Sequence, residues 1–372
     1  MIIKEDFRYD DAVKVCGGNI QVFSDDGTKE MSHAKLGIRD SRFCGQYIKV
    51  MTWSGIGTDP EYRRKGCVRA MLEKTLPRGR EFGTSISLLH PFSFSYYRKF
   101  GYERIYDTVQ AMMPIKALDF VERYPDFVRY DDSMEADLIK LFDKFSENRN
   151  IMFRRVNAEC FNRPNHKIYL DYNEKNEPIG YVVLEPQQHF DGINRMISED
   201  LLVREMGYLN REALNHILGF LRMYEGELDT VKFFDITPTP ELDIIFKHNM
   251  DTKYDIHPDI MARVLDTEAV LKQCSFPDQH GVFTLHIDDW IPDVKGNFRV
   301  EYQNGKCEVE RLSDDACCEV ILPQTAFARF LYGTDGYSPE TAAYMDGVKI
   351  NGKAPDFFRA FPKKINGLWE HF

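Results

Sequence analysis

One segment near the start of the chain constrains the fold more than any other. Residues 45–53 are rich in β-branched and aromatic side chains, which predicts a strand, and residues 55–60 carry the glycines and the proline of a strand end and turn. Residues 63–76 then repeat apolar side chains at helical spacing, which predicts a helix that opens on Arg-Arg-Lys-Gly. A strand that passes through a turn into a helix indicates an α/β fold.

The basic start of this helix has the chemistry of a pyrophosphate-binding loop. The first N–H groups of a helix have no partner within it and are free to donate to an anion at that end of the helix. Gly66 has no Cβ where phosphates would approach the backbone, while Arg64 and Arg69 add positive charge at the rim. Taken alone, the four-residue pattern favours a solvated basic turn. The strand before it and the Tyr-x-x-Phe-Gly-Tyr run at 97–102 favour coenzyme binding instead.

The rest of the chain predicts further mixed α/β structure. In the middle block we expect helices at 134–145 and 211–224, a hairpin over 167–184 and a strand at 230–234. In the last block we expect helices at 266–272, 323–332 and 355–361, and a hairpin that turns at Asn304-Gly305.

Two stretches of the chain are similar to a known enzyme family. Residues 57–66, Gly-Thr-Asp-Pro-Glu-Tyr-Arg-Arg-Lys-Gly, resemble the GNAT acyl-CoA N-acetyltransferases. More narrowly, the chain resembles the Eis (enhanced intracellular survival) family in Arg-Ala-Met at 69–71, in Tyr-Arg-Lys-Phe-Gly-Tyr at 97–102 and in its aromatic last residue. The resemblance extends over nearly the whole chain, is specific around residues 55–102 and is diffuse elsewhere.

This resemblance implies the fold class α/β (α+β), with two GNAT-like mixed-sheet domains followed by an α+β domain of sterol-carrier-protein type. We expect residues 1–125 to form the catalytic domain that binds acetyl-CoA. Residues 126–265 are expected to form a second GNAT-like domain without a coenzyme site, and residues 266–372 the sterol-carrier-protein-like domain. Members of the family form hexamers, so the resemblance implies a homo-oligomer, a homohexamer by analogy.

The resemblance also carries coenzyme-binding residues over to this chain, position by position. The strand whose backbone pairs with the pantetheine arm of acetyl-CoA corresponds to Ile56, Gly57 and Thr58. The pyrophosphate loop and helix start correspond to Arg64, Lys65, Gly66, Cys67, Val68 and Arg69. A pair that lines the coenzyme near its reactive end corresponds to Phe92 and Ser93. Cys67 is interpreted as a small helix residue rather than a nucleophile.

Two further residues match the catalytic pair of the family. Tyr97 matches the general acid that protonates the departing CoA thiolate, and the terminal carboxylate of Phe372 matches the general base. An amine must lose a proton before or during its attack on a thioester, so an acceptor within hydrogen-bond reach assists. A terminal carboxylate is a weak base, with a pKa of roughly 3.5 in model peptides, and burial would raise it. The alternatives are that Tyr97 only packs among aromatic residues and that Phe372 is a chain end without a role.

Two features depart from the family pattern. Only 62 residues precede the basic loop, which is short for the family, and the opening strand and helices that wall the acceptor pocket are the part expected to be missing. The acceptor is therefore expected to differ, or its pocket to be more open. Val68 stands at the second small position of the loop, where glycine or alanine is usual, although the Eis family often has a bulky residue there.

Charge and composition argue against several other classes of protein. The 372 residues include 59 acidic and 48 basic side chains, and the formal net charge of −11 disfavours a nucleic-acid-binding protein. Neither a signal peptide nor a membrane-spanning stretch is expected. The eight cysteines are scattered without a Cys-x-x-Cys pair, which favours reduced thiols in a cytoplasmic protein and disfavours a metal site.

Three weaker signals are interpreted as structural. His90 lies in the active region but is expected to have a structural rather than a catalytic role. The run Arg-Glu-Met-Gly at 204–207 fits R-x-x-G by chance, because Glu205 stands where phosphates would lie. The apolar residues of the third block could hold a lipid, although a packed core is the favoured interpretation; they are Phe283, Leu285, Ile287, Trp290 and Phe298.

Three functions from different classes remain as hypotheses. The leading one is an acetyl-CoA-dependent N-acetyltransferase that acts on the primary amine of a small molecule, with aminoglycosides as the class that the resemblance suggests. The second makes the acceptor a protein lysine or a polyamine. The third is a non-enzymatic module that binds a lipid or another ligand. The basic loop and Tyr97 disfavour the third hypothesis, whereas the sequence does not separate the first two.

Overall fold

The chain is a mixed α/β protein, as the sequence predicts. The computed structural model describes residues 1–10, 15–161, 165–190, 196–236, 239, 241–242 and 251–368. The chain forms two compact units: the first combines Met1–Asp107 with Pro258–Asn366, and the second comprises Thr108–His257 with residues 367–368.

The strands and helices of the described residues are numbered in chain order. The strands are β1 (Ile2–Asp10), β2 (Val15–Phe23), β3 (Glu30–Phe43), β4 (Gln46–Thr58), β5 (Ile86–Leu89), β6 (Glu103–Arg104), β7 (Asp107–Pro114), β8 (Val128–Arg129), β9 (Lys167–Tyr172), β10 (Pro178–Phe190), β11 (Met196–Tyr208), β12 (Thr230–Ile236), β13 (Lys253–Pro258), β14 (Met261–Val264), β15 (Gly281–Asp288), β16 (Gly296–Gln303), β17 (Lys306–Arg311), β18 (Val320–Pro323) and β19 (Lys349–Ile350). The helices are α1 (Cys67–Thr75), α2 (Phe94–Arg98), α3 (Glu135–Ser146), α4 (Arg211–Arg222), α5 (Thr267–Gln273), α6 (Gln324–Tyr332), α7 (Pro339–Ala342) and α8 (Pro355–Ala360).

The first sheet has the order β1-β2-β3-β4-β5-β14-β6. β1 to β4 form an antiparallel meander, and β5 runs parallel to β4. β14 is antiparallel to both β5 and β6, and all four of its residues are buried because it lies inside the sheet. The chain thus returns to its first sheet after it has formed the second unit.

The second sheet has the order β13-β7-β12-β11-β10-β9-β8. β11 and β12 are parallel and are joined through α4. They form a strand–helix–strand arrangement of the same kind as β4, α1 and β5 in the first sheet. The buried faces of α3 and α4 pack into the core of this unit, with Leu138, Phe142, Leu214 and Leu218 almost fully enclosed.

The third sheet has the order β17-β16-β15-β18-β19 and belongs to the first unit. β16 and β17 form the predicted hairpin, with Asn304 and Gly305 both at positive φ, 51° and 77°, as a tight two-residue turn requires. The core interpretation of this block is confirmed for Phe283, Leu285, Ile287 and Phe298, which are buried. It is wrong for Trp290, whose side chain is 44% exposed.

The amino-terminal part differs from the sequence prediction in two respects. The opening strand is present as β1, and β2 follows after only four residues. The helix predicted from Arg63 begins instead at Cys67, because the backbone takes left-handed conformations at Arg64 and Gly66. Apolar spacing located the body of the helix correctly, but it carries no information about where the first turn begins.

Candidate functional site

The first feature of the site is the divergence of two parallel strands. β4 pairs with β5 from Val50 to Trp53, where β5 ends at Leu89. β4 continues to Thr58, and over this last stretch β3 is its pairing partner among the described strands. Three of the predicted site residues lie here, namely Ile56, Gly57 and Thr58, and each is partly buried.

A β-bulge turns the end of β4 away from β5. Gly55 and Ile56 stand opposite the single residue Ala34 of β3, and Gly55 adopts a φ of 55°. Bulges increase the local twist of a strand, so β4 separates from its parallel neighbour beyond this point. The Ser32 hydroxyl donates to the Gly57 carbonyl at 2.6 Å and fixes the end of β4 against β3.

The second feature is the loop that joins β4 to α1. Arg64 and Gly66 have φ values of 64° and 85°, so two residues of the loop adopt left-handed backbone conformations. Gly66 is the N-cap of α1 and contributes no side-chain cap. A Cβ at Gly66 would meet no protein atom within 4 Å, so this position faces open space that a phosphate could occupy.

The first N–H groups of α1 are left for a ligand. The N–H of Ala70 donates to the Gly66 carbonyl at 2.9 Å, whereas those of Cys67, Val68 and Arg69 have no acceptor among the described residues. An anion at the start of the helix would satisfy these donors and would be stabilised by the helix dipole. The loop therefore fits the pyrophosphate of acetyl-CoA.

The side chains of the loop are basic and mostly exposed. Arg64 and Lys65 are exposed, and Arg64 forms no ion pair with any residue in the described ranges. Arg69 lies 3.3 Å from Glu73, one turn further along α1. Cys67 is 2% exposed, which supports its interpretation as a small interior residue rather than a nucleophile.

The third feature is the short helix α2, which follows the end of β5. The Ser93 hydroxyl caps this helix and accepts from the Tyr96 N–H at 3.3 Å. Phe92 is 73% exposed, and its ring centroid lies 5.4 Å from that of Tyr97. The structure thus brings Phe92, Ser93 and Tyr97 together. The first turn of α1 also lies near the residues that follow α2, since the Arg69 guanidinium lies 5.7 Å from the ring centroid of Phe100.

Tyr97 has a buried ring and a hydroxyl that can donate a proton. Its side chain is 2% exposed, and within the described part of the chain the hydroxyl has no hydrogen-bond partner. By contrast, the hydroxyl of Tyr102 lies 2.6 Å from that of Ser87. Burial, and to a smaller extent the neighbouring Tyr96, raises the pKa of Tyr97 well above the ordinary tyrosine range. The hydroxyl therefore remains a proton donor at neutral and moderately alkaline pH.

Other predicted residues have different surroundings. Phe372 lies outside the described residues, so its carboxylate is not placed. His90 Nδ1 lies 2.8 Å from the Asp259 carboxylate, an ion-pair geometry that links the end of β5 to the segment before β14. The run at 204–207 lies within β11 rather than at a helix start, and its Glu205 accepts from Arg155 at 2.6 and 2.9 Å. This run therefore forms no phosphate loop.

A cavity of about 1170 Å³ lies in the second unit, beside the start of α4. Arginines, glutamates and aromatic residues line it, among them Arg149, Tyr124, Tyr208 and His216. In contrast to α1, α4 has a capped start, because the Asn210 side chain accepts from the Ala213 N–H at 2.8 Å. The two strand–helix–strand arrangements thus differ at the helix start.

The sequence interpretation did not include Ser32 or Ala34, and it assigned Gly55 to a strand end rather than to a bulge. Glycines at 55 and 57 inside a strand pattern are the signal for a bulge. Among the described residues, no helix is both long and apolar enough to cross a membrane, and no group of three or more His, Cys, Asp or Glu is arranged to hold a metal.

Comparisons with other proteins agree with this geometry. The family model of the GNAT acetyltransferase domain matches residues 7–105. No curated protein matches the chain in sequence. A probable N-acyltransferase of unknown function from Enterococcus faecalis V583 has a TM-score of 0.80 at 19% identity, over 96% of this chain and 89% of the other.

Two further solved structures share the fold. A GCN5-related N-acetyltransferase from Anabaena variabilis has a TM-score of 0.81 at 17% identity, over 95% of this chain and 89% of the other. Eis1 from Mycobacterium abscessus has a TM-score of 0.74 at 16% identity, over 95% of this chain and 91% of the other. These likenesses establish the GNAT-like mixed α/β fold.

Residues 7–105 therefore form a GNAT acetyltransferase domain. The sequence-based prediction of an N-acetyltransferase enzyme is confirmed at this level, and a GNAT domain implies acetyl-CoA as the co-substrate.

Proposed function

We propose that this chain transfers the acetyl group of acetyl-CoA to a primary amine at the divergence of β4 and β5. The observation that carries the proposal is the position of this divergence beside the uncapped start of α1. The strand end offers backbone groups to an extended pantetheine arm, and the helix start offers three N–H groups to its pyrophosphate. Arg64, Lys65 and Arg69 add positive charge there, and Val68 lies within the first turn.

Tyr97 is the proposed general acid. Acetyl-CoA supplies a thioester whose carbonyl carbon accepts the amine and whose sulfur departs as a thiolate. The Tyr97 hydroxyl is protonated throughout the working pH range and has no competing acceptor among the described residues, so it is available to donate to the departing sulfur. Because its raised pKa makes complete proton transfer uphill, hydrogen bonding to the developing charge is its first contribution. Phe92 and Ser93 form the adjoining wall.

The terminal carboxylate of Phe372 is the proposed general base. The family resemblance supports this role, since the matching group in that family accepts the proton of the attacking amine. The acceptor is proposed to be a small molecule, an aminoglycoside in the first instance. A protein lysine or a polyamine is the second candidate class, and the short segment before the basic loop is the feature that favours an altered acceptor pocket.

The wider architecture of the Eis family completes the proposal. We propose a coenzyme-free second domain within residues 126–265, without β14, which lies in the first sheet. We also propose a sterol-carrier-protein-like domain at residues 266–372, a homohexameric assembly and a cytoplasmic location. The fold likeness to Eis1, which extends over 95% of this chain, supports the domain assignments, whereas the assembly and the location follow from the family resemblance and the composition. Light scattering coupled to size exclusion tests the assembly, because a 43.5 kDa particle would contradict the hexamer.

The decisive experiment measures CoA release with a thiol reagent. Acetyl-CoA is mixed with an aminoglycoside set, spermidine, a lysine peptide or no acceptor, and release above the no-acceptor rate identifies the acceptor class. Acetyl-CoA binding without release by any amine would contradict these acceptor classes. No binding of acetyl-CoA would contradict the coenzyme site itself.

Matched variants test the catalytic pair. Tyr97→Phe is expected to lower kcat on the order of a hundredfold while leaving acetyl-CoA affinity nearly unchanged. Tyr96→Phe removes a hydroxyl one residue away and is the control. Removal of residues 369–372 should likewise lower kcat. If both changes left turnover intact, the assignment of acid and base would be wrong even with the coenzyme site correct.

A further inference from the structure

A cluster of thiols and lysines lies in the first unit, apart from the groups assigned to acetyl transfer. It borders a cavity of about 400 Å³. Three cysteines and two lysines line this cavity, namely Cys44, Cys274, Cys307, Lys272 and Lys306. Cys44 is partly exposed, and it is among the residues that line the cavity.

The backbone holds Cys44 beside Cys274. Cys44 and Gly45 form the two-residue turn between β3 and β4, where Cys44 takes a φ of 51° that side-chain-bearing residues rarely adopt. Gln46, the next residue, donates from Nε2 to the carbonyl of Gln273 at 2.8 Å. Gln273 ends α5, and Cys274 follows it directly. Cys44 and Cys274 line the same cavity.

A fixed ammonium group completes the site. Lys364 Nζ lies 3.3 Å from Cys44 Sγ and 2.7 Å from the Leu331 carbonyl. The same nitrogen lies 5.5 Å from the centroid of the Phe43 ring, which precedes the turn. The positive charge is thereby held against one sulfur, where it stabilises a thiolate.

The environment distinguishes the two partners of the pair. The interactions with Cys274 and with the charge of Lys364 outweigh burial and lower the pKa of Cys44 below its usual range. Burial raises the pKa of Cys274 well above its usual range, and Cys274 also lies at the carboxyl end of α5, where a negative charge is disfavoured. Cys274 therefore remains a thiol, and Cys44 is the thiolate of the pair.

The remaining titratable neighbours are consistent with this assignment. Burial raises the pKa of Cys307 to about 11, so this third cysteine stays a thiol. Burial also raises the pKa of Tyr332 well above its ordinary range, which keeps its hydroxyl neutral. Lys272 and Lys306 border the cavity and add positive charge near the thiolate.

We propose that Cys44 is a nucleophilic site for peroxides and other small electrophiles, and that Cys274 resolves its oxidised form as a disulfide. The Cys44 thiolate attacks one oxygen of hydrogen peroxide, the O–O bond breaks, and a sulfenic acid and hydroxide result; an organic hydroperoxide releases an alkoxide in place of the hydroxide. The Cys274 sulfur then attacks the Cys44 sulfur. The S–S bond forms as the S–O bond breaks, and the departing hydroxyl leaves as water with the proton of Cys274.

Alkylation of the native full-length chain with iodoacetamide tests the nucleophile. The extent of reaction at each cysteine is followed by peptide mass spectrometry at pH 6, with the exposed Cys317 as the internal comparison. We expect Cys44 to react faster than Cys317, and Lys364→Met to slow Cys44 on the order of tenfold or more. Lys272→Met, which removes a cavity lysine not bonded to Cys44, is the control.

Two results of this experiment would overturn the proposal. One is slower alkylation of Cys44 than of Cys317 at pH 6, and the other is an equal effect of Lys364→Met and Lys272→Met. Lys364→Arg keeps the cation in place of the ammonium, and it should retain most of the reactivity. This variant separates lost charge from lost packing.

Hydrogen peroxide tests the resolving step. We expect a Cys44–Cys274 cross-linked peptide in the native chain and in Cys307→Ser. In Cys274→Ser the cross-link should be absent, and dimedone should trap the sulfenic acid on Cys44. No cross-link in the native chain, or a cross-link from Cys44 to Cys307, would contradict the role of Cys274. Neither readout depends on acetyl transfer.

Discussion

At the residue scale, Arg64 is the loop cation whose role can be isolated most directly. It is exposed, takes a left-handed φ and forms no ion pair within the described residues. Its replacement by glutamine therefore breaks no ion pair within the described residues, but it removes charge from the rim of the proposed pyrophosphate site. We expect Arg64→Gln to raise KM for acetyl-CoA about tenfold, with kcat little changed and the effect smaller at high salt.

The control for Arg64 lies on the same strand–loop segment. Lys49 is an exposed cation near the other end of β4, so Lys49→Gln makes the same change in net charge away from the loop. Steady-state kinetics with varied acetyl-CoA give both parameters. Equal shifts in KM for the two variants would indicate a long-range charge effect rather than a phosphate contact.

The buried ion pair of Arg263 and Asp289 supports a second residue-scale prediction, which concerns stability. The two side chains are 0% and 2% exposed and lie 2.5 Å apart, and the guanidinium also donates to the Phe100 carbonyl. Burial outweighs the attraction, since it lowers the pKa of Arg263 and raises that of Asp289. Arg263→Met should cost about 3–5 kcal/mol in the free energy of unfolding, because it leaves the Asp289 carboxylate buried without its cation.

The pH dependence of that loss has a definite sign. Without the guanidinium, the pKa of Asp289 in the folded state rises further above its value in the unfolded chain. The stability of the variant therefore falls as the pH rises from the unfolded-state pKa towards the folded-state pKa. Urea unfolding should show a larger deficit for Arg263→Met at pH 7 than at pH 5. Adding Asp289→Asn to Arg263→Met should recover part of the lost free energy of unfolding at pH 7. Arg8→Gln, which breaks an exposed pair, is expected to cost less than about 0.5 kcal/mol.

At the element scale, the start of α1 offers a matched pair of glycines. Gly66 and Gly83 have φ values of 85° and 66°, and a Cβ at either would meet no protein atom within 4 Å. Gly66→Ala and Gly83→Ala should therefore lose similar stability through backbone strain, about 1 kcal/mol each. Only Gly66→Ala should weaken acetyl-CoA binding, measured by calorimetry, because its Cβ would fill the proposed phosphate space. Equal affinities of the two variants would place the phosphates elsewhere.

The same element shows what the sequence can and cannot reveal. Spacing of Val68, Met71 and Leu72 located the body of α1, and β-branched runs located β4 and β5, because burial of one face imposes those periods. No sequence periodicity marks the left-handed backbone at Arg64, so the predicted helix starts four residues before the observed one. The bulge at Gly55 depends on the register against β3, which only the assembled sheet defines.

At the scale of the whole molecule, the first unit is built from two distant parts of the chain. β14 lies between β5 and β6 in the sheet, although the whole second unit separates it from both strands along the chain. The run Met-Ala-Arg-Val at 261–264 predicts no particular sheet, because a short buried strand is compatible with any neighbour of suitable register. Residues at the predicted end of the middle block thus belong to the first sheet.

This topology predicts the behaviour of two truncated chains. The first unit is left at Asp107 and re-entered at Pro258, and the Asp259 N–H donates to the Tyr106 carbonyl at 3.1 Å, so the two ends are adjacent. Replacing residues 108–257 by a Gly-Ser linker of about four residues should therefore leave a chain that unfolds cooperatively and still binds acetyl-CoA.

A fragment of residues 1–125 lacks β14, which leaves the edges of β5 and β6 unpaired. It should aggregate or show no cooperative transition by circular dichroism. A fragment 1–125 as stable as the linked chain would show that the first sheet does not require β14.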